Sequence, residues 1–166
     1  MTKFLLATVL AAILIAPLAL AADPPAAGGD QFNPAWGAIL PAAQAASLSP
    51  NGPATITGTW LPTDDDIKML EPLLAVQLKA ELARDGRGRS LRVADFYRQY
   101  GGIVEGGQRL IIVNGFHKSY VERRGKMRDF WKHEPVFVMD GGCNYFHAAL
   151  DVATKEFAYL SCQSVG

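Results

Sequence analysis

Cysteine, histidine and net charge are all scarce in this chain, and each shortage removes a class of function. There are only two cysteines, Cys143 and Cys162. Neither lies near the N-terminal apolar run, so a lipid anchor on a cysteine after a cleaved leader is excluded. The three histidines, His117, His133 and His147, do not fall into His-x-x-x-His or another tight ligand spacing, so no metal or other cofactor is implied. Sixteen basic residues balance sixteen acidic ones, and nothing global points to nucleic acid or to an acidic substrate. A Gly-x-Ser-x-Gly elbow and a Ser/His/Asp order are absent. The basic, glycine-rich stretch Arg84–Ser90 lacks the Gly-Lys-Ser/Thr ending of a phosphate loop.

No apolar run reaches the ~20 residues that span a bilayer. The longest, Phe4 to Ile15, follows Lys3, is broken by Pro17 and is followed by Ala19-Leu20-Ala21. That order is the pattern of a cleavable secretory leader, and removal of residues 1–21 is expected. The remaining chain carries fifteen basic against sixteen acidic residues once Lys3 is gone, has no transmembrane span, and belongs in a periplasm or outside the cell. In that oxidising setting two cysteines are most simply one disulfide. A nucleophilic Cys143 activated by His147 would instead need a free thiolate.

Residues 22–53 are rich in Ala, Pro, Gly and Ser and read as a linker, with Phe32–Trp36 and Ile39-Leu40 as apolar islands able to dock. Residues 54–166 read as a single α+β domain. Thr55–Trp60 alternates as a short strand. Thr63 and Asp66 form a reciprocal helix cap, which accounts for the three adjacent acids Asp64–Asp66 better than a calcium loop does. From Ile67 to Arg84 a stripe of Ile67, Leu70, Leu74, Leu78 and Leu82, widened by Leu73, Val76 and Ala80, predicts a broad buried helix face interrupted by Pro72.

The segment Val93–Glu105 predicts a strand bent or bulged at Gly101-Gly102. Gly106-Gly107 is a hairpin turn, and Gln108–Asn114 a central strand. Pro135–Cys162 reads as a three-stranded antiparallel meander with corners at Asp140-Gly141-Gly142 and Asp151–Thr154. Centring the second corner on Val152-Ala153 sets Leu150 opposite Lys155 and Cys143 opposite Cys162, close enough to bond. The expected architecture is one main amphipathic helix packed on an antiparallel sheet of about five strands, with a disulfide across the C-terminal hairpin.

Tyr97-Arg-Gln-Tyr100-Gly, Gly107–Asn114, Trp131, Pro135–Gly142, Tyr145-Phe146, Asp151 and Thr154–Phe157 together resemble a class of small secreted bacterial domains with no assigned activity. The resemblance spans roughly residues 64–160. It departs at the last strand, where that class more often carries Asn-Gly and this chain has Ser161-Cys162. A helix followed by an antiparallel meander is also similar to cystatin-like architecture, an analogy of fold that carries no function.

Two groups of residues are candidates for function. Lys118–Lys132 carries six basic residues against two acidic ones, with aromatics between them. Arg123, Arg124, Lys126, Arg128 and Trp131 would form a binding surface for another periplasmic or extracellular protein, or for an anionic envelope component. Asn114, His117, Asp140 and Asn144 lie at strand ends and would form a polar pocket, with His117 and Asp140 as an acid–base pair. Three functions follow: an exported non-enzymatic binding or inhibitor-type protein, a small hydrolase or metal-dependent enzyme using His117 and Asp140, or an envelope-associated structural protein contacting its partner through Phe32–Leu40. Oligomeric state is not readable from the residues.

Overall fold

The computed structural model describes residues 33, 35–85, 90–123, 129–139 and 141–162. The expected leader lies outside them, as do Asp140, Arg124, Lys126 and Arg128. No helix among the described residues is long and apolar enough to cross a membrane.

The fold is α+β. Six strands form one mixed sheet: β1 (Gly37–Ile39), β2 (Ile56–Trp60), β3 (Phe96–Glu105), β4 (Gln108–His117), β5 (Tyr145–Asp151) and β6 (Phe157–Cys162). β3, β4, β5 and β6 run antiparallel in chain order. β2 pairs antiparallel with the C-terminal half of β3, and β1 pairs parallel with its N-terminal half. The expectation of a purely antiparallel sheet of about five strands is therefore corrected. β1 comes from the stretch read as linker, and composition hid it because three residues are too few to show a period.

Helix α2 (Asp64–Asp85) starts where its cap places it. The Thr63 amide donates to Asp66 Oδ2 at 2.8 Å, and the Asp66 amide donates back to Thr63 Oγ1 at 3.2 Å. Ile67, Leu70, Leu74, Leu78 and Leu82 are buried against Phe96, Tyr100, Ile111, Val113, Phe146, Ala148 and Leu150 on one sheet face. The stripe is narrower than expected, since Val76 is 61% exposed and Ala80 is exposed. Pro72 stays within the helix.

No long helix among the described residues lies over the other sheet face. Two segments cover it instead. A short helix α1 (Ala42–Ala45) and the turn after it bury Leu40, Ala45 and Leu48 against Ile103, Leu110, Ile112 and Ala149. Helix α3 (Ser119–Glu122) and the turn Phe130–Lys132 bring Val121 and Trp131 onto Phe116 and Tyr145, together with Val136.

β3 and β4 pair residue for residue through the glycines, so there is no bulge there. The glycines serve close approach instead. A Cβ on Gly101 would lie 2.8 Å from that of Ala45, and one on Gly102 would lie 2.5 Å from the Trp60 ring. The hairpin turn is as expected, with φ of 57° at Gly106 and 80° at Gly107.

The C-terminal part departs from the expected meander in two ways. Pro135–Val138 forms no strand, and the Gly142–Asn144 turn precedes β5 in place of a tight hairpin. The β5–β6 register has also slipped, so that Leu150 faces Phe157 and Cys162 faces Phe146. The cause is a longer corner. Asp151 Oδ1 accepts from the Ala153 amide at 2.8 Å, Lys155 turns through φ of 60°, and a bulge falls between Ala149 and Leu150. The disulfide forms nonetheless, with Cα atoms 4.7 Å apart, because Cys143 sits in the turn that folds back toward the end of β6.

Candidate functional site

A strand shows alternate side chains to opposite faces, and this decides where each candidate group points. Asn114 lies on the face covered by the two segments. His117, three residues on, belongs to the helix side, edge-on to Phe96 at 6.0 Å, with Nδ1 2.9 Å from Ser119 Oγ. Asn144 is exposed in the turn before β5. The described members of the expected pocket therefore do not converge. Among the described residues no group of three or more His, Cys, Asp or Glu side chains is placed to hold a metal.

Asn114 belongs to a polar row that crosses the covered face, Gln99 on β3, Asn114 on β4 and His147 on β5, in register. Apolar clusters flank the row on both sides. Its work is to hold backbone that has left the ladder. Gln99 Nε2 donates to the carbonyls of Trp131 at 2.5 Å and Glu134 at 2.6 Å, and Gln99 Oε1 accepts from the Val136 amide at 2.9 Å. Asn114 Nδ2 donates to Gln99 Oε1 at 2.9 Å and to the Val136 carbonyl at 2.8 Å, where the Tyr145 hydroxyl adds a second donor at 3.1 Å. A buried peptide group without a partner costs on the order of 1–3 kcal/mol, so side chains that replace the ladder make this segment's path specific.

The segment therefore has a fixed root and a free tip. Val136 is buried and Val138 packs on Phe116 and its neighbours, while Phe137 is 60% and Met139 84% exposed. The Tyr120 hydroxyl donates to the Phe137 carbonyl at 3.3 Å and ties α3 to the same loop. Arg123 closes α3, its Nε donating to the Ser119 carbonyl at 3.0 Å. Trp131, expected on a binding surface, is only 2% exposed and stacks on Tyr97 with ring centres 4.5 Å apart. Its ring is apolar bulk that the adjacent Tyr97, Phe116 and Tyr145 enclose, so it supports the loop from beneath. Trp36 is tucked against the domain under Lys118, whose Nζ lies 3.9 Å from its ring centre. Burial and the nearby Arg98 guanidinium hold the Lys118 ammonium below its usual range.

Sequence reading missed a buried charged cluster, Glu71 with Arg98. Arg98 donates through Nε and Nη2 to Glu71 of α2 at 2.9 and 2.8 Å, and through Nη1 to the carbonyls of Val93 and Phe96 at 2.9 Å each. The Tyr100 hydroxyl donates to the same carboxylate. Burial, opposed in part by Arg98, keeps Tyr100 protonated well beyond its ordinary range. The signal was present: Glu71 stands four residues after Ile67 and three before Leu74, on the buried stripe, and Arg98 alternates with Phe96 and Tyr100.

His147 carries a testable pH dependence. Burial lowers its pKa, with the Leu48 backbone acting the other way, and its Nδ1 is buried without a hydrogen-bond partner. The unfolded chain therefore binds a proton near the ordinary value of about 6.5 while the fold resists it. Stability is complete above that pH and falls as acidification proceeds from there toward the lower folded pKa. Melting followed from pH 7.5 to 5 should drop less steeply for His147→Gln than for the native chain; equal slopes would remove His147 as the cause.

No known family, no curated protein and no solved structure matches this chain.

Proposed function

We propose that this chain is an exported binding or inhibitor-type protein, acting in a periplasm or outside the cell after loss of residues 1–21, and that it engages a partner protein through the loop Glu134–Met139. The observation that carries this reading is the rooted loop. Gln99, Asn114 and Tyr145 fasten its base, and Phe137 and Met139 stand out at its tip. Apolar side chains held in place before contact cost little further ordering on binding, which is how a small surface gains affinity. The Cys143–Cys162 bond and the absence of a membrane-crossing helix among the described residues are compatible with that location. Arg123 closes α3, the helix that Tyr120 ties to the loop, and with Arg124, Lys126 and Arg128 following it in the chain it favours an acidic rim on the partner.

The test is capture from an envelope or culture extract, quantified by mass spectrometry. Phe137→Ser/Met139→Ser should lose a stoichiometric partner by about tenfold or more, as hot-spot truncation does, while melting temperature and the disulfide stay unchanged. Identical capture by native and variant protein would overturn the reading.

A further inference from the structure

The asparagines of the chain are Asn33, Asn51, Asn114 and Asn144, and only Asn51 and Asn114 precede a glycine. A glycine amide nitrogen, unhindered by a side chain, can reach the carbonyl carbon of the side chain before it. Asn33 precedes Pro34, which has no N–H, and Asn144 precedes the bulky Tyr145. The fold treats the two Asn-Gly pairs in opposite ways. Asn114 is fully buried in β4, and its Nδ2 is held by two acceptors. Gly115 sits in the ladder between β3 and β5, and a Cβ on it would lie 2.1 Å from the Phe146 ring. Neither group can turn toward the other without opening the core. Asn51 is instead exposed, in the turn Ser49-Pro50-Asn51-Gly52 that leads from the covering segment Leu40–Leu48 toward β2. Gly52 has φ of 75°, with nothing within 4 Å of where its Cβ would be. The turn is held by long contacts. The Gly52 amide donates to the Ser49 carbonyl at 3.2 Å, the Asn51 amide to Ser49 Oγ at 3.3 Å, and Asn51 Nδ2 to Glu105 Oε1 at 3.5 Å.

We propose that Asn51 is a self-modification site, converting in the folded protein to aspartate and isoaspartate, and that the product loosens the junction between the covering segment and β2. The Gly52 backbone nitrogen attacks Asn51 Cγ. Its proton passes through solvent to the side-chain nitrogen, the Cγ–N bond breaks, and ammonia leaves a cyclic imide. Water then opens either carbonyl of the imide, so the sum is amide plus water giving carboxylic acid plus ammonia, with no other reagent. Only the bond from the Gly52 amide to the Ser49 carbonyl has to open first, a local event at the cheap end of the range of openings a fold allows. The product changes the sign of one contact. Where the Asn51 amide donates to Glu105 Oε1, a second carboxylate meets the first. Glu105 also receives the Thr55 hydroxyl and stands opposite Ile56, the first residue of β2, so the repulsion falls where that strand is fastened. The isoaspartate form further inserts a methylene into the main chain between the covering segment and β2.

Peptide mapping by mass spectrometry tests this, on protein with its Cys143–Cys162 bond intact, aged at neutral pH beside a sample unfolded in guanidinium. The unfolded chain should convert both Asn-Gly pairs at similar rates. In the folded protein Asn51 should convert within about tenfold of its unfolded rate, whereas Asn114, which needs the core to open, should be slowed about a thousandfold or more. Asn33 and Asn144 should stay intact in the same digests. An Asn51 that folding protects as strongly as Asn114 overturns the site. The consequence is read by amide exchange of β2 in unaged protein. Asn51→Asp should speed it about two- to fivefold, the scale of an exposed like-charge pair, and Glu105→Gln in the same chain should remove that increment. Asn51→Gln, whose longer side chain closes the ring poorly, should stop both the conversion at this position and any rise in β2 exchange on ageing. Equal β2 exchange in native and Asn51→Asp protein, or ageing that loosens β2 in Asn51→Gln as much as in the native chain, overturns the proposed effect.

Discussion

Replacing Glu71 by leucine should destabilise the fold by about 3–5 kcal/mol, the largest effect expected of any single substitution here. The carboxylate is fully buried and receives Arg98 in a two-pronged contact together with the Tyr100 hydroxyl. Removing it leaves a guanidinium inside the core, and arginine does not shed its charge. Arg98→Met should cost a similar amount, because Glu71 then lacks its cation. The double variant Glu71→Leu/Arg98→Met should recover much of the loss, since an apolar pair of similar size no longer requires two charges to leave water. Urea unfolding of the two single variants and the double one measures the coupling directly. Additive costs, or a Glu71→Leu cost under about 1 kcal/mol, would show that the pair is not what joins α2 to β3.

The second large effect concerns the sulfur bridge. Cys143→Ala/Cys162→Ala removes a crosslink over 19 positions, which the chain-entropy account values at about 3 kcal/mol. For a domain of this size the melting point should fall by roughly 10 °C. Because the mechanism lies in the unfolded chain, reduction of the native protein should give nearly the same loss as the double substitution. A difference of under about 1 °C between oxidised and reduced protein would remove the bridge as a source of stability.

How much was legible in the chain varies with the range of the signal. The Thr63/Asp66 cap and the stripe from Ile67 to Leu82 are local and regular, and α2 followed from them. Gly106-Gly107 located the central hairpin because two adjacent residues need positive φ. Pro135–Val138 misled because it does alternate: Val136 and Val138 face in, Phe137 and Met139 face out. Period alone cannot say whether a ladder partner exists, and here Gln99 and Asn114 take its place. The disulfide was anticipated through a register that proved wrong, since the bend before β5 and the bulge in the β5–β6 pair offset each other in bringing the sulfurs together. Of the expected pocket, Asn114 and His117 were separated by strand alternation, a rule that was available beforehand. The buried position of Trp131 depends on Tyr97 and Phe116, contacts between distant parts of the chain that no local pattern reports.

The parallel pairing of Gly37–Ile39 with Arg98–Tyr100 also dictates an order of events. The first of the described strands to leave the ribosome has no template until the middle of the chain has been made. Until then Leu40, Ala45 and Leu48 have nothing to cover. The strap they form can therefore close only once β3, β4 and β5 have been made, so this early stretch waits through most of synthesis for the surface it covers.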